Sequence, residues 1–131
     1  MKRNKVGILF LALFVGALLV RSLSLSAEAG PAPVVRLAEL EIDPAQLETY
    51  KAALQEEIAT SVRVEPGVLK LYAVSLKGHP TQIRLFEMYA TTAAYEKHLR
   101  SAHFLKYKSS TTGMVQSLRL LETEPIYLGT K

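Results

Sequence analysis

Residues 34 to 42, VVRLAELEI, set apolar residues among interspersed charges and predict a first strand. Asp43-Pro44 then starts a helix: Asp43 caps it, Pro44 suits the first helical position, and Gln46 completes a capping-box-like pattern. Leu47, Tyr50, Leu54, Ile58 and Val62 follow at spacings of three and four, which is one apolar helical stripe, with Glu48, Lys51, Gln55 and Glu56 off it. Pro66-Gly67 ends the segment. Val68 to Leu76 and Gln82 to Ala90 read as two strands joined through the turn Lys77-Gly78-His79-Pro80. Thr91 and Thr92 cap a second helical region that runs through Tyr95, His98 and Leu99, breaks near Ser101 and resumes through Phe104 and Tyr107. Leu118 to Tyr127 reads as a last strand, interrupted late by Pro125.

Strand, helix, strand, strand, helix, strand is the split βαβ order. It predicts an α+β, ferredoxin-like βαββαβ fold with a four-stranded antiparallel sheet and both helices on one face. The other face needs a cover too, because Leu69, Leu71, Leu85 or their neighbours fall on it. In so small a domain the natural cover is a second copy, which makes a homodimeric α+β barrel with room for a small ligand.

Residues 1–29 follow a different pattern. Lys2, Arg3 and Lys5 precede an uncharged run from Val6 to Val20, Arg21 ends it, and Ala27-Glu28-Ala29 offers small residues around a cleavage point. This reads as a secretory signal peptide cleaved after Ala29, which leaves residues 30–131 as an exported domain, secreted or, in a Gram-negative bacterium, periplasmic. The run is shorter than the ~20 residues of a membrane span, which argues against the alternative, an uncleaved N-terminal anchor. The segment also changes the charge reading. Its four basic residues and one acidic residue, taken from the 16 and 12 of the whole chain, leave 12 and 11. The formal +4 therefore belongs mostly to the leader and gives no basic face for nucleic acid. The absence of cysteine excludes disulfides, thiolate metal sites and a cysteine nucleophile.

Candidate chemistry lies between Tyr72 and Tyr107. Glu87 sits inside the third strand among apolar neighbours, where a carboxylate is costly to bury. Alternation puts Leu85, Glu87 and Tyr89 on one face and Arg84, Phe86 and Met88 on the other. His98 and His103 are suited to proton transfer near neutral pH. Five residues apart, they point in different directions on an unbroken helix, and a break at Ser101 brings them together. That spacing, with no acidic ligand at a usual interval, speaks against a metal site. Tyr72, Tyr89, Phe104 and Tyr107 supply aromatic surface, three of them with hydroxyls, for a planar ring. No G-x-S-x-G, G-x-G-x-x-G or P-loop pattern occurs.

Residues 65–107 resemble the antibiotic biosynthesis monooxygenase (ABM) domain family, which includes quinol monooxygenases and an autoinducer-2-processing isomerase group. The matching pieces are Glu65 and Gly67 before the second strand, Glu87 and Tyr89 in the third, and His98, His103 and Phe104 after an alanine. The resemblance implies a dimeric α+β barrel with a pocket in each subunit and oxidation of phenols or hydroquinones by dioxygen without metal or flavin. It implies Glu87, His98 and His103 as the polar pocket groups. Tyr89 stands where many members have tryptophan. Haem-degrading relatives use an asparagine and a tryptophan; this chain has no tryptophan, and its lone asparagine, Asn4, lies in the leader.

The resulting expectation is an exported, cofactor-independent monooxygenase acting on a quinol or related polyphenol. His98 or His103 takes a phenolic proton, Glu87 orients that histidine, and Tyr72 and Tyr107 hold the ring. An isomerase of a small hydroxy-carbonyl compound and a non-catalytic ligand-binding or assembly barrel are the alternatives.

Overall fold

The computed structural model describes residues 30–129 and 131; the predicted signal segment lies outside the described residues. The elements are β1 (Val34–Ile42), α1 (Leu47–Val64), β2 (Val68–Leu76), β3 (His79–Tyr89), α2 (Thr92–Leu99), α3 (Ala102–Thr111) and β4 (Val115–Glu122). All neighbouring strands are antiparallel, in the order β2-β3-β1-β4. This is the α+β, ferredoxin-like arrangement that the pattern predicts, with the second helical region divided in two.

Local chemistry explains the boundaries. The Asp43 carboxylate accepts from the Ala45 amide at 2.9 Å, and a short 3-10 turn, Pro44–Gln46, leads into α1. Gly78, at φ 80°, supplies the left-handed residue of the Lys77–Gly78 turn between β2 and β3. β3 therefore begins at His79, inside the span read as turn. β4 begins at Val115 and ends at Glu122, well short of Tyr127. Its partner β1 offers register only from Arg36 to Ile42, and beyond it the Thr123 hydroxyl donates to the Val35 carbonyl at 2.7 Å instead.

The helical face of the sheet carries the core. Ala38, Leu40 and Ile42 of β1 and Ile83 of β3 pack with Tyr50 and Leu54 of α1 and Tyr107 of α3. Val68, Leu71 and Tyr89 form a second cluster beside Ala94 and Tyr95 of α2. The apolar stripe of α1 holds from Leu47 through Ile58 and fails only at Val62. Its buried residues are Tyr50, Leu54, Glu57 and Ser61, whereas Val62 is exposed. The opposite sheet face is apolar as expected, but Leu71 is buried in the core and Leu85 packs against it. That outer face is carried by neighbours in register: Leu37 beside Phe86 and Leu121, Tyr72 beside Phe86, and Val35 beside Met88. Among the described residues no helix is long and apolar enough to cross a membrane.

Candidate active site

The polar half of α1 faces the break between α2 and α3. Ser101 makes that break productive. Its hydroxyl donates to the His98 carbonyl at 2.8 Å and accepts from the Phe104 amide at 3.3 Å, so it ends one helix and caps the next. The reversal carries His98 and His103 to one point. Both imidazoles meet the same oxygen: Glu65 Oε2 lies 2.8 Å from His98 Nδ1 and 2.9 Å from His103 Nε2.

Glu65 is buried just beyond the end of α1. Burial alone would raise its pKa, but the hydrogen bonds from His98 and His103 outweigh burial and hold the carboxyl below its ordinary value. An ionised carboxylate only accepts, so both imidazole nitrogens facing it donate. In neutral His98 the proton is thus on Nδ1, and Nε2 carries the lone pair. Glu57 Oε1 lies 3.6 Å from that Nε2 and itself accepts from the Ser61 hydroxyl at 2.7 Å.

His98 is 3% exposed. It forms part of the wall of a cavity of about 250 Å³ between the sheet and the helices α2 and α3. Phe104 lies against its ring with centroids 4.8 Å apart, and Tyr89 at 5.3 Å. Glu87, Tyr89, Phe104 and Tyr107 line the same cavity, as do Arg36 and Tyr95. The wall is otherwise mostly aliphatic, including Leu118 and Leu120 of β4. Glu87 accepts from the Tyr89 hydroxyl at 3.1 Å, and burial raises its pKa by more than that bond lowers it. The phenols of Tyr89 and Tyr107 are pushed well above the ordinary range, chiefly by burial, so they remain neutral donors. Tyr107 shares its hydroxyl with that of Tyr50 at 2.6 Å.

The structure thus brings together five of the seven residues singled out in the sequence: Glu87, His98, Tyr89, Phe104 and Tyr107. His103 stands behind the cavity on Glu65 and does not line it. Tyr72 is 57% exposed and does not line this cavity; it borders a groove of about 750 Å³ along α1 and β2, and also a small pocket that it shares with Glu87, His98, Phe104 and Tyr107. That larger groove holds neither imidazole nor a buried carboxylate, so the cavity of about 250 Å³ is the candidate chemical site. The carboxylate that meets the imidazoles is Glu65, and Glu87 is bound to Tyr89 instead. Glu57, Ser61 and Arg36 were not singled out at all. A signal for the first two existed, since Tyr50, Leu54, Glu57 and Ser61 continue one helical face at spacings of four, three and four.

Despite their sequence spacing, Glu57, His98 and His103 each place one ligand atom within 4.8 Å of the others, the donor set of a divalent-cation site. Two of these three residues are already committed to Glu65 through hydrogen bonds.

A split βαβ sheet with an imidazole in the wall of an apolar cavity defines a class of small α+β proteins built around a small-molecule site. Within that class, residues 33–110 match the family Antibiotic biosynthesis monooxygenase. The chain belongs to this family. Among solved structures it is similar to a protein of Bacteroides thetaiotaomicron provisionally named an antibiotic biosynthesis monooxygenase, with 48% identity and TM-score 0.73, over 76% of this chain and 94% of that one. A provisionally named monooxygenase of Lactobacillus acidophilus is 31% identical with TM-score 0.66, over 67% of this chain and 42% of the other. A Nitrosomonas europaea protein at 21% identity and TM-score 0.68 shares the fold, over 72% of this chain and 99% of that one. No curated protein matches the chain.

Proposed function

We propose that this protein is an exported, homodimeric monooxygenase that oxidises a quinol or related polyphenol with dioxygen and no resident cofactor, and that His98 is its base. One observation carries the reading: a buried imidazole in the wall of an apolar cavity, its Nδ1 held by an ionised carboxylate at 2.8 Å. Glu65 fixes the tautomer and steadies the imidazolium that forms, the logic of a carboxylate–histidine pair. The aromatic walls of Tyr89, Phe104 and Tyr107 hold the ring and keep water out.

The steps balance without a cofactor. His98 Nε2 takes a phenolic proton, and the electron-rich phenolate passes one electron to dioxygen. The semiquinone and superoxide join at a ring carbon to give a peroxide anion. That anion recovers the proton from His98, and the hydroperoxide loses water to leave a hydroxylated quinone. One oxygen atom stays on the ring and the other leaves as water.

The test is an oxygen-uptake screen over benzo- and naphthohydroquinones in chelator-treated buffer, beside the His98→Ala/His103→Ala variant. Uptake that the double variant loses is expected. Turnover without oxygen points to an isomerase, and absence of any turnover defeats the enzymatic reading. The exposed apolar sheet face, with Tyr72, Val74 and Phe86 each about half exposed, supports pairing with a second copy. A monomer by analytical ultracentrifugation at micromolar concentration removes that part. N-terminal sequencing of the protein from an expressing cell's periplasm tests export, and recovery of uncleaved Met1 in membranes contradicts cleavage after Ala29.

A further inference from the structure

The charge lining the cavity is not neutral. Arg36 stands on the central strand β1 with its side chain only 13% exposed, and it lines the cavity together with Lys108. A guanidinium carries five donors and is costly to desolvate without a close counter-charge. Among the described residues its one side-chain hydrogen bond is a long ion-pair contact of 3.5 Å to Glu122, whose carboxylate is 88% exposed. Its other register neighbour, Glu87, makes no ion pair with it and is bound to Tyr89. The guanidinium carbon lies over the Tyr95 ring, 4.5 Å from its centroid, a cation–π contact. Lys108 makes no ion pair among the described residues. Two cations and one carboxylate of raised pKa thus border a space whose remaining wall is mostly apolar.

We propose that the cavity takes an aromatic anion, a one- or two-ring phenol bearing a carboxylate, and that Arg36 binds the carboxylate while the ring lies toward His98. The size agrees: about 250 Å³ is below the range of drug-sized pockets and suits one or two fused rings. Arg36 and its planar fork fit a carboxylate in two parallel bonds. Lys108, at the exposed side, adds charge without geometry. The inference rests on the reading of this cavity as the substrate site and narrows the substrate class.

The test uses two probes with the same ring, 1-hydroxy-2-naphthoate and 1-naphthol, titrated under argon into the purified full chain and followed by calorimetry. The naphthoate binds about tenfold tighter or more to the wild type, the scale of one charged bidentate contact. Arg36→Gln reduces the preference below about threefold and leaves 1-naphthol unchanged, because only the charge-assisted contact is lost. Arg36→Lys keeps part of the preference, and Lys108→Gln, at an exposed position, lowers it about twofold. Arg36→Lys and Lys108→Gln carry the test if Arg36→Gln does not fold. Equal binding of the two probes, tighter binding of 1-naphthol, no binding of either, or an unchanged preference in the Arg36 variants overturns the proposal. Binding is read without turnover, so a chain that selects the naphthoate through Arg36 but consumes no oxygen defeats the monooxygenase reading and leaves this one standing.

Discussion

Glu65→Gln is the most informative single change, because the side chain keeps its shape and loses its charge. Glu65 Oε2 accepts from His98 at 2.8 Å and from His103 at 2.9 Å. A hydrogen bond to a charged group contributes about 1.5–3 kcal/mol and a neutral one about 0.5–1.5, so the amide gives up roughly 2–3 kcal/mol over the two bonds. In catalysis the imidazolium at His98 loses its counter-charge. Unit charges about 4 Å apart attract by about 4 kcal/mol at an effective dielectric near 20. A transition state with the proton half transferred loses about half of that, roughly 2 kcal/mol, which is about thirtyfold in kcat. KM changes little, because Glu65 does not line the cavity. Stability adds a sign. The folded carboxyl titrates below its ordinary value, so its contribution is complete above about pH 5 and fades as pH falls through the folded value. Oxygen-uptake kinetics and urea titrations from pH 3 to 8 read both effects. The variant should be less stable at pH 7 and converge on the wild type in acid. A kcat within threefold of wild type, or a stability deficit that does not vary with pH, refutes the role given to Glu65.

Glu87 has the opposite sign. Its folded pKa is raised, chiefly by burial, so the stability it contributes is greatest below its unfolded value and is lost as pH rises through the folded value. Glu87→Gln should therefore gain on the wild type between pH 4 and 8 in the same titrations. Gly67→Ala places a methyl 2.5 Å from Ala94 Cβ, where β2 meets α2. Overpacking of that kind costs about 1–3 kcal/mol, and a thermal melt should fall by at least about 4 °C. Tyr50→Phe strands the buried Tyr107 hydroxyl and should cost about 1–3 kcal/mol, whereas the double change to Phe at Tyr50 and Tyr107 should cost less than the two single changes added together. Denaturant melts of the four proteins in that cycle measure the coupling.

The fold was legible because its elements change period cleanly, from alternation in β1 and β3 to threes and fours in α1. The break at Ser101 was legible too, because a hydroxyl residue between two helical runs is a cap in waiting. The partners of the imidazoles were not. Glu65 reaches His98 across 33 positions and His103 across 38, and no local pattern encodes such a meeting. Reading α1 by its apolar residues alone hid Glu57 and Ser61, which continue the buried face as a hydrogen-bonded pair. Glu87 drew attention as a buried charge, but a strand position fixes only its face, and Tyr89 two residues on claimed its oxygen. Tyr72 shows the same limit: its neighbour Leu71 points into the core and turns Tyr72 to the outer face.

Chemical rescue probes the base itself. His98→Gly, supplied with a hydroquinone that the wild type oxidises, should lose oxygen uptake by about 100-fold or more, the scale of general-base catalysis. Added imidazole should restore part of the rate in proportion to its unprotonated fraction. Uptake that survives in His98→Gly at close to the wild-type rate contradicts the account.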